Sequence, residues 1–348
     1  MRYLFFLFFA YYATGQCFGQ ATAVYRNLVM EGGGIRGIAY SGAIQELERR
    51  GMLDSVIRVG GTSAGAIQAA LLAVGYSADE IKQLIYAMPV KKMNDGRFVF
   101  IGGSNRLVKY YGWYRGEKFT KWLEEQLKAK TGLDNITLGQ LHTMAGPNGM
   151  RDLYVTGTNL TQQKVEVLSY ETYPAMKVSD AVRISMSIPL YFKAMFIDSL
   201  GNTIAKPAPG QKVNVMVDGG ILANYPIDLF DQNKYLYRPQ PELSSDTYVF
   251  NPETLGLRLD REEQITYDTQ QKGLAPYEIY NFKSYMSAFY TIVSENLNRN
   301  KLKTEDWRRT ISINTLNFGP KIKHLSKAEK EQLMESGRFG TIGFLHKK

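Results

Sequence analysis

Cysteine is almost missing. Cys17 is the only one in 348 residues, and one thiol cannot build a disulfide framework or a multi-cysteine zinc or iron–sulfur site. Histidine is scarce as well: His142, His324 and His346 are the full set. That leaves little for a histidine-rich metal centre and few candidates for a catalytic imidazole. No apolar run reaches the roughly 18 residues needed to cross a bilayer. Internal repeats and low-complexity linkers are also lacking. What remains is ordinary globular material, with 44% hydrophobic and 22% charged residues, a balance that excludes wholesale disorder. At about 150 residues per domain, the length fits two domains or one large α/β unit. Lysine and arginine number 42 against 33 acidic residues, a net charge of +9. This favours an anionic contact, such as a phospholipid surface, a nucleic acid or a cell-surface polymer, without choosing among them.

The N-terminus has the layout of a secretory signal peptide. Arg2 supplies the positive start, Tyr3 to Ala13 is an eleven-residue apolar stretch, and Cys17 and Gly19 stand at the −3 and −1 positions before Gln20. The spacing predicts a signal peptide over 1–19 and a mature chain over 20–348, exported across the inner membrane to the periplasm, the surface or the medium. Cleavage removes the cysteine, and with it any thiol nucleophile. A buried N-terminal segment and a lipid-modified Cys17 are the rival readings. Gln16 stands where a lipidated cysteine usually follows a small residue.

Beyond the leader, strand, glycine turn and helix alternate. Tyr25 to Met30 reads as a strand running into Glu31-Gly32-Gly33-Gly34-Ile35-Arg36-Gly37, followed by a helix that Gly51 ends. Ser55 to Val59 reads as a second strand, meeting Gly60-Gly61-Thr62-Ser63-Ala64-Gly65. The next helix, Ala66 to Val74, is almost wholly apolar and is expected to be buried. Repeated alternation predicts an α/β fold with a mostly parallel central sheet flanked by helices. Leu153–Gly157 with Lys164–Leu168 reads as a strand pair, and Ser179 to Ser187 as a helix capped by Ser179 and stopped by Pro189. Val213–Val217, Leu255–Leu259 and Ile311–Ile313 are further strands. Ser326 with Glu329 forms a capping box for a C-terminal helix.

Three motifs carry chemistry. Gly61-x-Ser63-x-Gly65, between a strand and a helix, has the form of a nucleophile elbow. Its small neighbours permit the sharp turn, and the helix N-terminus favours the charge that develops in acyl transfer. A packing turn with a helix-capping serine is the bland reading. Gly32-x-Gly34-x-x-Gly37 is open to two readings. As a dinucleotide fingerprint it expects an acidic residue about 20 positions on, at the end of the next strand; Asp54 is near that spacing but precedes the strand. As an oxyanion hole, its glycines expose backbone N–H groups. Arg36 is open to orienting an anionic head group, locking the loop, or making an ordinary ion pair. Asp218-Gly219-Gly220, ending a buried strand, would put a carboxylate at the sheet edge that carries Ser63, although Asp-Gly alone mostly marks a turn.

Together these elements, in this order, resemble the patatin-like phospholipase family, over about residues 26–345. Ala181 to Pro189, Thr254-Leu255-Gly256-Leu257 and the tail around Gly337 are similar to that family too. Glu31 departs from it, standing where aspartate is usual and keeping the charge. The resemblance implies a patatin-like three-layer α/β/α fold and a Ser–Asp dyad. Ser63 would be the nucleophile and Asp218 the proton acceptor. Gly32, Gly33, Gly34, Ile35, Arg36 and Gly37 would form the oxyanion loop, with Ala64 open as a further donor. Gly61, Gly65, Gly219 and Gly220 would support elbow and aspartate. Independently, neither His142 nor His324 follows a clear strand, so a carboxylate is the better candidate base, and its pKa must be raised before it can serve as one.

Residues 91–130 stand apart, with ten Lys or Arg against four acidic residues and Tyr110, Tyr111, Trp113, Tyr114, Phe119 and Trp122 among them. They read as a cap or lid giving access to lipid, or as a solvated cap with its aromatics packed inward. No signature of nucleic-acid binding appears. The expectation is a secreted serine hydrolase of acyl-ester lipids, phospholipids first, touching a membrane surface peripherally and needing no cofactor and no metal. A nicotinamide-binding oxidoreductase and a lipid-surface binding protein with little turnover are the alternatives.

Overall fold

A computed structural model describes residues 24–96, 101–146, 149–293, 302–316, 318–319 and 325–347. The leader and His324 lie outside the described residues.

The chain opens with strand β1 (Asn27–Met30), a 3-10 turn over Gly34–Ile38 and helix α1 (Ala39–Arg49). Strand β2 (Arg58–Gly61) and helix α2 (Ala64–Ala73) repeat the pattern. Every residue of β1 is buried, as are all residues of α2 from Gly65 onward. Such strands, covered on both faces, belong to the middle of a parallel sheet. Helices α3 (Ala78–Ala87), α4 (Val90–Met93) and α5 (Ile101–Tyr110), strand β3 (Gly112–Tyr114) and helices α6 (Glu117–Thr131) and α7 (Leu138–Met144) follow. Then come β4 (Asp152–Asn159), β5 (Lys164–Leu168), helix α8 (Val178–Ser185), β6 (Leu190–Phe192), β7 (Met195–Ile197), β8 (Asn214–Asp218) and β9 (Thr254–Asp260). Helices α9 (Glu262–Thr269) and α10 (Phe282–Thr291), strand β10 (Thr310–Asn314) and a C-terminal helix (Lys327–His346) complete the described elements.

The main sheet runs β10-β9-β1-β2-β4-β8-β7, with β5 against the outer half of β4. Its first five strands are mutually parallel. β8 and β7 join antiparallel, as does β5, the strand pair the sequence predicts. β3 and β6 form a separate parallel pair.

One expectation is met by an unforeseen route and one needs correcting. Asp218 reaches the Ser63 edge by another route than a parallel strand. β4 continues past β2: Val155 is level with Gly61, while Gly157 pairs with Asp218. β8 therefore descends onto the overhang and delivers its last residue two positions beyond Gly61, level with Ser63. Ser179 is not a cap. Helix α8 starts at Val178 after Lys177 with no side-chain cap, and the Ser179 hydroxyl donates to Glu124 instead. The Ser326–Glu329 capping box is present as expected.

The C-terminal helix closes the fold against α1 at two glycines. A Cβ on Gly42 would lie 1.8 Å from the Met334 carbonyl, and one on Gly337 1.9 Å from the Ala39 carbonyl. The two backbones are in contact, and no side chain fits between them.

Candidate active site

Ser63 sits between the end of β2 and the start of α2, with φ 51° and ψ −115°. Non-glycine residues rarely hold that backbone, and strain of this kind persists only where the surroundings fix it. Here they do. The Ser63 N–H donates to Ser185 Oγ at 2.9 Å. The Thr62 N–H reaches the Met30 carbonyl at 3.1 Å, and the Thr62 hydroxyl donates to the Ala223 carbonyl at 2.7 Å. Gly61 and Gly65 are glycines by necessity, since a Cβ on them would lie 2.7 and 2.2 Å from the Met30 carbonyl. The elbow is thus wedged against the end of β1.

The loop after β1 lies across the elbow. A Cβ on Gly32 would stand 3.4 Å from Ser63 Cβ, and one on Gly37 2.7 Å from Ala64 Cβ. Glu31, the residue before the glycines, is buried. Its carboxylate accepts the Leu259 N–H at 2.9 Å and an Asn224 amide N–H at 3.2 Å, with Arg258 at 3.9 Å. Arg36 turns inward and is 5% exposed; its Nε donates to the Gly33 carbonyl at 3.2 Å. Of the readings open to it, locking the loop is the one its contacts fit. The Gly32 N–H is committed to the Asn224 carbonyl at 3.0 Å and the Arg36 N–H to Gly33. The Gly37 carbonyl accepts from Gln68. No acceptor among the described residues takes the N–H groups of Gly33, Gly34, Ile35 or Ala64. These four N–H groups are therefore uncommitted among the described residues, while Gly32, Arg36 and Gly37 are tied into the framework.

Asp218 comes in from β8. Its N–H is held by the Ser187 carbonyl at 3.0 Å, and its Oδ1 accepts the Gly220 N–H at 2.7 Å. Oδ2 is buried with no hydrogen-bond partner among the described residues. Burial pushes the carboxyl up from the ordinary 3.8 to about 7, against the opposing pull of the Gly220 N–H and the nearby Ser63 hydroxyl. Gly219 lets the turn press on β4, where a Cβ would lie 2.4 Å from the Thr156 carbonyl.

In front of Ser63 opens a cavity of about 100 Å³. Apart from Ser63, Gln68, Asn94 and backbone, its wall is apolar. Met88, Val90, Met93, Phe119, Met186 and Phe192 supply much of that wall. The basic stretch 91–130 thus contributes Met93 and Phe119 to the cavity wall.

The other candidates lie elsewhere. His142 stacks on Tyr170 at 3.6 Å between ring centroids and pairs with Asp152 at 2.7 Å. Asp152 starts β4 opposite Arg58, three residues below the level of Gly61, or about 10 Å down the sheet. Asp54 is exposed in the turn before β2, at the wrong end for a ribose contact, so the dinucleotide reading loses its acid. Sequence reasoning missed Asn224 and Ser185. Asn224 ties the Asp218 turn to the glycine loop, through Gly32 and Glu31. Its only sequence signal is its position six residues after Asp218, whereas Ser185 lies inside a segment already noted.

The family model for patatin-like phospholipase covers residues 28–231, from β1 to beyond Asp218. The chain is 33% identical over 217 residues to YqhO of Bacillus subtilis, across 61% of this chain and 68% of that one. It is 26% identical over 224 residues to the probable lipid hydrolase 463L of Invertebrate iridescent virus 6, across 63% of this chain and 67% of that one. The chain thus spans about two thirds of each relative's length. Among solved structures, VipD from Legionella pneumophila superposes with a TM-score of 0.56 at 19% identity, over 93% of this chain and 67% of that chain; that likeness is one of fold. With more than half of its length matched, the chain belongs to the patatin-like phospholipase family.

Proposed function

We propose that the protein is a serine hydrolase of long-chain acyl-ester lipids, phospholipids first, with Ser63 as nucleophile and Asp218 as its base. The observation that carries this is a strained serine beside a buried carboxyl of pKa about 7, at the mouth of an apolar cavity. The hydrolase named in one relative is consistent with it.

The acyl chain lies along Met88, Met93 and Phe119, which puts the ester carbonyl over Ser63. Asp218, in its ionised form, takes the Ser63 proton as Oγ attacks the carbonyl carbon. The carbonyl π pair moves onto oxygen, and the N–H groups of Gly33, Gly34 and Ile35, with Ala64 at the helix N-terminus, stabilise that charge. Asp218 returns the proton to the leaving alcohol oxygen as the C–O bond breaks. Water then attacks the acyl-enzyme by the same route, releasing the fatty acid. Burial is what makes this carboxyl basic enough to act, because at an ordinary pKa of 3.8 it would hold the serine proton poorly. The Ser63 hydroxyl lies near enough to Asp218 to draw its pKa down, and such a contact tightens when substrate binds. Residues 91–130 form the cap over the acyl site, and residues 1–19 direct export; the N-terminal sequence of the protein recovered from the producing cells checks the latter.

The test is hydrolysis of a short soluble ester and of a long-chain phospholipid by the wild type and by Ser63→Ala. Turnover of both by the wild type, and of neither by the variant, supports the reading. Equal residual rates in the two proteins refute it and favour a lipid-surface binding protein.

A further inference from the structure

One part of the surface combines exposed apolar side chains with a local excess of positive charge. Val108 on α5 is 77% exposed, Leu190 on β6 68% and Tyr111 50%. They form one patch. Tyr111 follows directly on α5, where its N–H donates to the Leu107 carbonyl at 3.1 Å, about one turn from Val108. The Leu190 N–H donates to the Tyr111 carbonyl at 3.2 Å. Tyr111 and Leu190 both hold left-handed backbone, at φ 62° and 66°. Behind them β3 and β6 press so closely that a Cβ on Gly112 would lie 2.1 Å from the Phe192 carbonyl, and the Tyr111 ring stands 6.1 Å from that of buried Phe196, between centroids. The inner side of the same segment is cavity wall: Ile188 and Phe192, two positions to either side of Leu190, both line it. The surrounding charge is predominantly positive, with five Lys or Arg against a single Glu in residues 101–121, of which Arg115 pairs with Glu117 at 3.6 Å and Lys109 is exposed beside Val108.

We propose that this patch is the docking surface for an anionic phospholipid bilayer. Val108, Tyr111 and Leu190 enter the interface, and the basic residues led by Lys109 meet the head-group phosphates. Aliphatic side chains at the headgroup boundary, tyrosine at its level and lysines on the phosphates are the arrangement a bilayer surface selects. A second copy of the chain fits less well, because two copies meeting here would bring like charges together. The cavity wall lies directly behind the patch, so an acyl chain leaving the bilayer has a short path to Ser63. The proposal rests on the acyl-lipid reading for its choice of partner, and the test keeps the two apart.

Binding is measured by co-sedimentation of the full Ser63→Ala protein, which cannot alter the lipid, with vesicles of phosphatidylcholine alone or mixed with phosphatidylglycerol. Binding to the mixed vesicles is expected, at least about tenfold weaker in a Val108→Asp/Leu190→Asp variant, and weaker near 1 M salt, where the screening length falls to about 3 Å. Asp tolerates the backbone at 190 better than a bulky residue. The same pair of substitutions with Ser63 intact should leave short soluble ester hydrolysis within about twofold of wild type. Lys109→Glu, at one exposed site, should by itself reduce the preference for anionic vesicles and keeps the test decisive if the double variant misfolds. Unchanged binding by these variants, equal binding to neutral vesicles, or a wild-type dimer that the substitutions turn to monomer would each overturn the proposal. Absent ester hydrolysis with vesicle binding intact would instead strike the acyl-hydrolase reading alone.

Discussion

At the scale of single residues, Asp218 makes the sharpest demands. If its carboxyl is the base, kcat/KM should rise about tenfold per pH unit below 7 and level off above it, tracking the pKa of about 7. A profile flat from pH 5 to 8 would remove Asp218 from that role. The same group sets a stability trend of opposite sign. The folded protein keeps the proton up to about pH 7, whereas the unfolded chain releases it near 3.8. Between those values the folded state binds more protons, so stability from this group falls as pH rises, by on the order of 4 kcal/mol in full. Asp218→Asn should therefore abolish turnover yet melt above the wild type at pH 8, with the gap closing toward pH 4; thermal unfolding at both pH values checks this. Asn224→Ala, which removes the tie between the Asp218 turn and the glycine loop, should lower kcat far more than it raises KM. Steady-state kinetics on a soluble ester would show the split. Ser63, Asp218 and the glycines were legible in the sequence because their chemistry lies in short local motifs. Asn224 and Ser185 were not, because their partners lie 192 and 122 residues away in the chain.

At the scale of elements, the alternation of strand, glycine turn and helix was legible for the same local reason. Both β1 and β2 feed a helix through a glycine-rich turn, and the apolar run of α2 announces its burial. Strand direction was not legible. Val213–Val217 reads alike whichever way it runs, and what turns β8 antiparallel is the β4 overhang that lies in no motif. Ser179 misled because a serine before an apolar run reads as a cap, while the chain uses it inside the helix to reach Glu124. The crossing of α1 with the C-terminal helix is the element most exposed to a small change. Gly337→Ala places a methyl 1.9 Å from the Ala39 carbonyl, so the helices must separate. Forced overpacking of this kind costs about 1–3 kcal/mol. A urea midpoint lowered accordingly, with ester hydrolysis per folded molecule unchanged, is the expected result.

At the scale of the whole molecule, the parts divide the labour. The parallel sheet and the buried α2 hold one rigid edge, where elbow, glycine loop and Asp218 meet. The region between α3 and α6, with the β3–β6 pair, supplies the apolar cavity wall and the basic outer surface. Arg183 joins the two. It is fully buried on α8, next to the elbow's Ser185, and its guanidinium donates to the Arg115 carbonyl at 2.6 Å and the Lys193 carbonyl at 3.1 Å. Burial lowers its pKa to about 10, so it stays charged at neutral pH. The net charge of +9 pointed to an anionic partner without naming one, and the patch of Val108, Tyr111 and Leu190 is the surface proposed for it. The central claim, that Ser63 is an activated nucleophile served by Asp218, is tested most directly by a fluorophosphonate probe. The purified protein is labelled beside Ser63→Ala, Asp218→Asn and His142→Ala, and the modified peptide is identified by mass. The account expects one adduct, on Ser63, lost in Ser63→Ala, sharply reduced in Asp218→Asn and unaffected in His142→Ala. An unlabelled wild type, or labelling that needs His142 as much as Ser63, would contradict it.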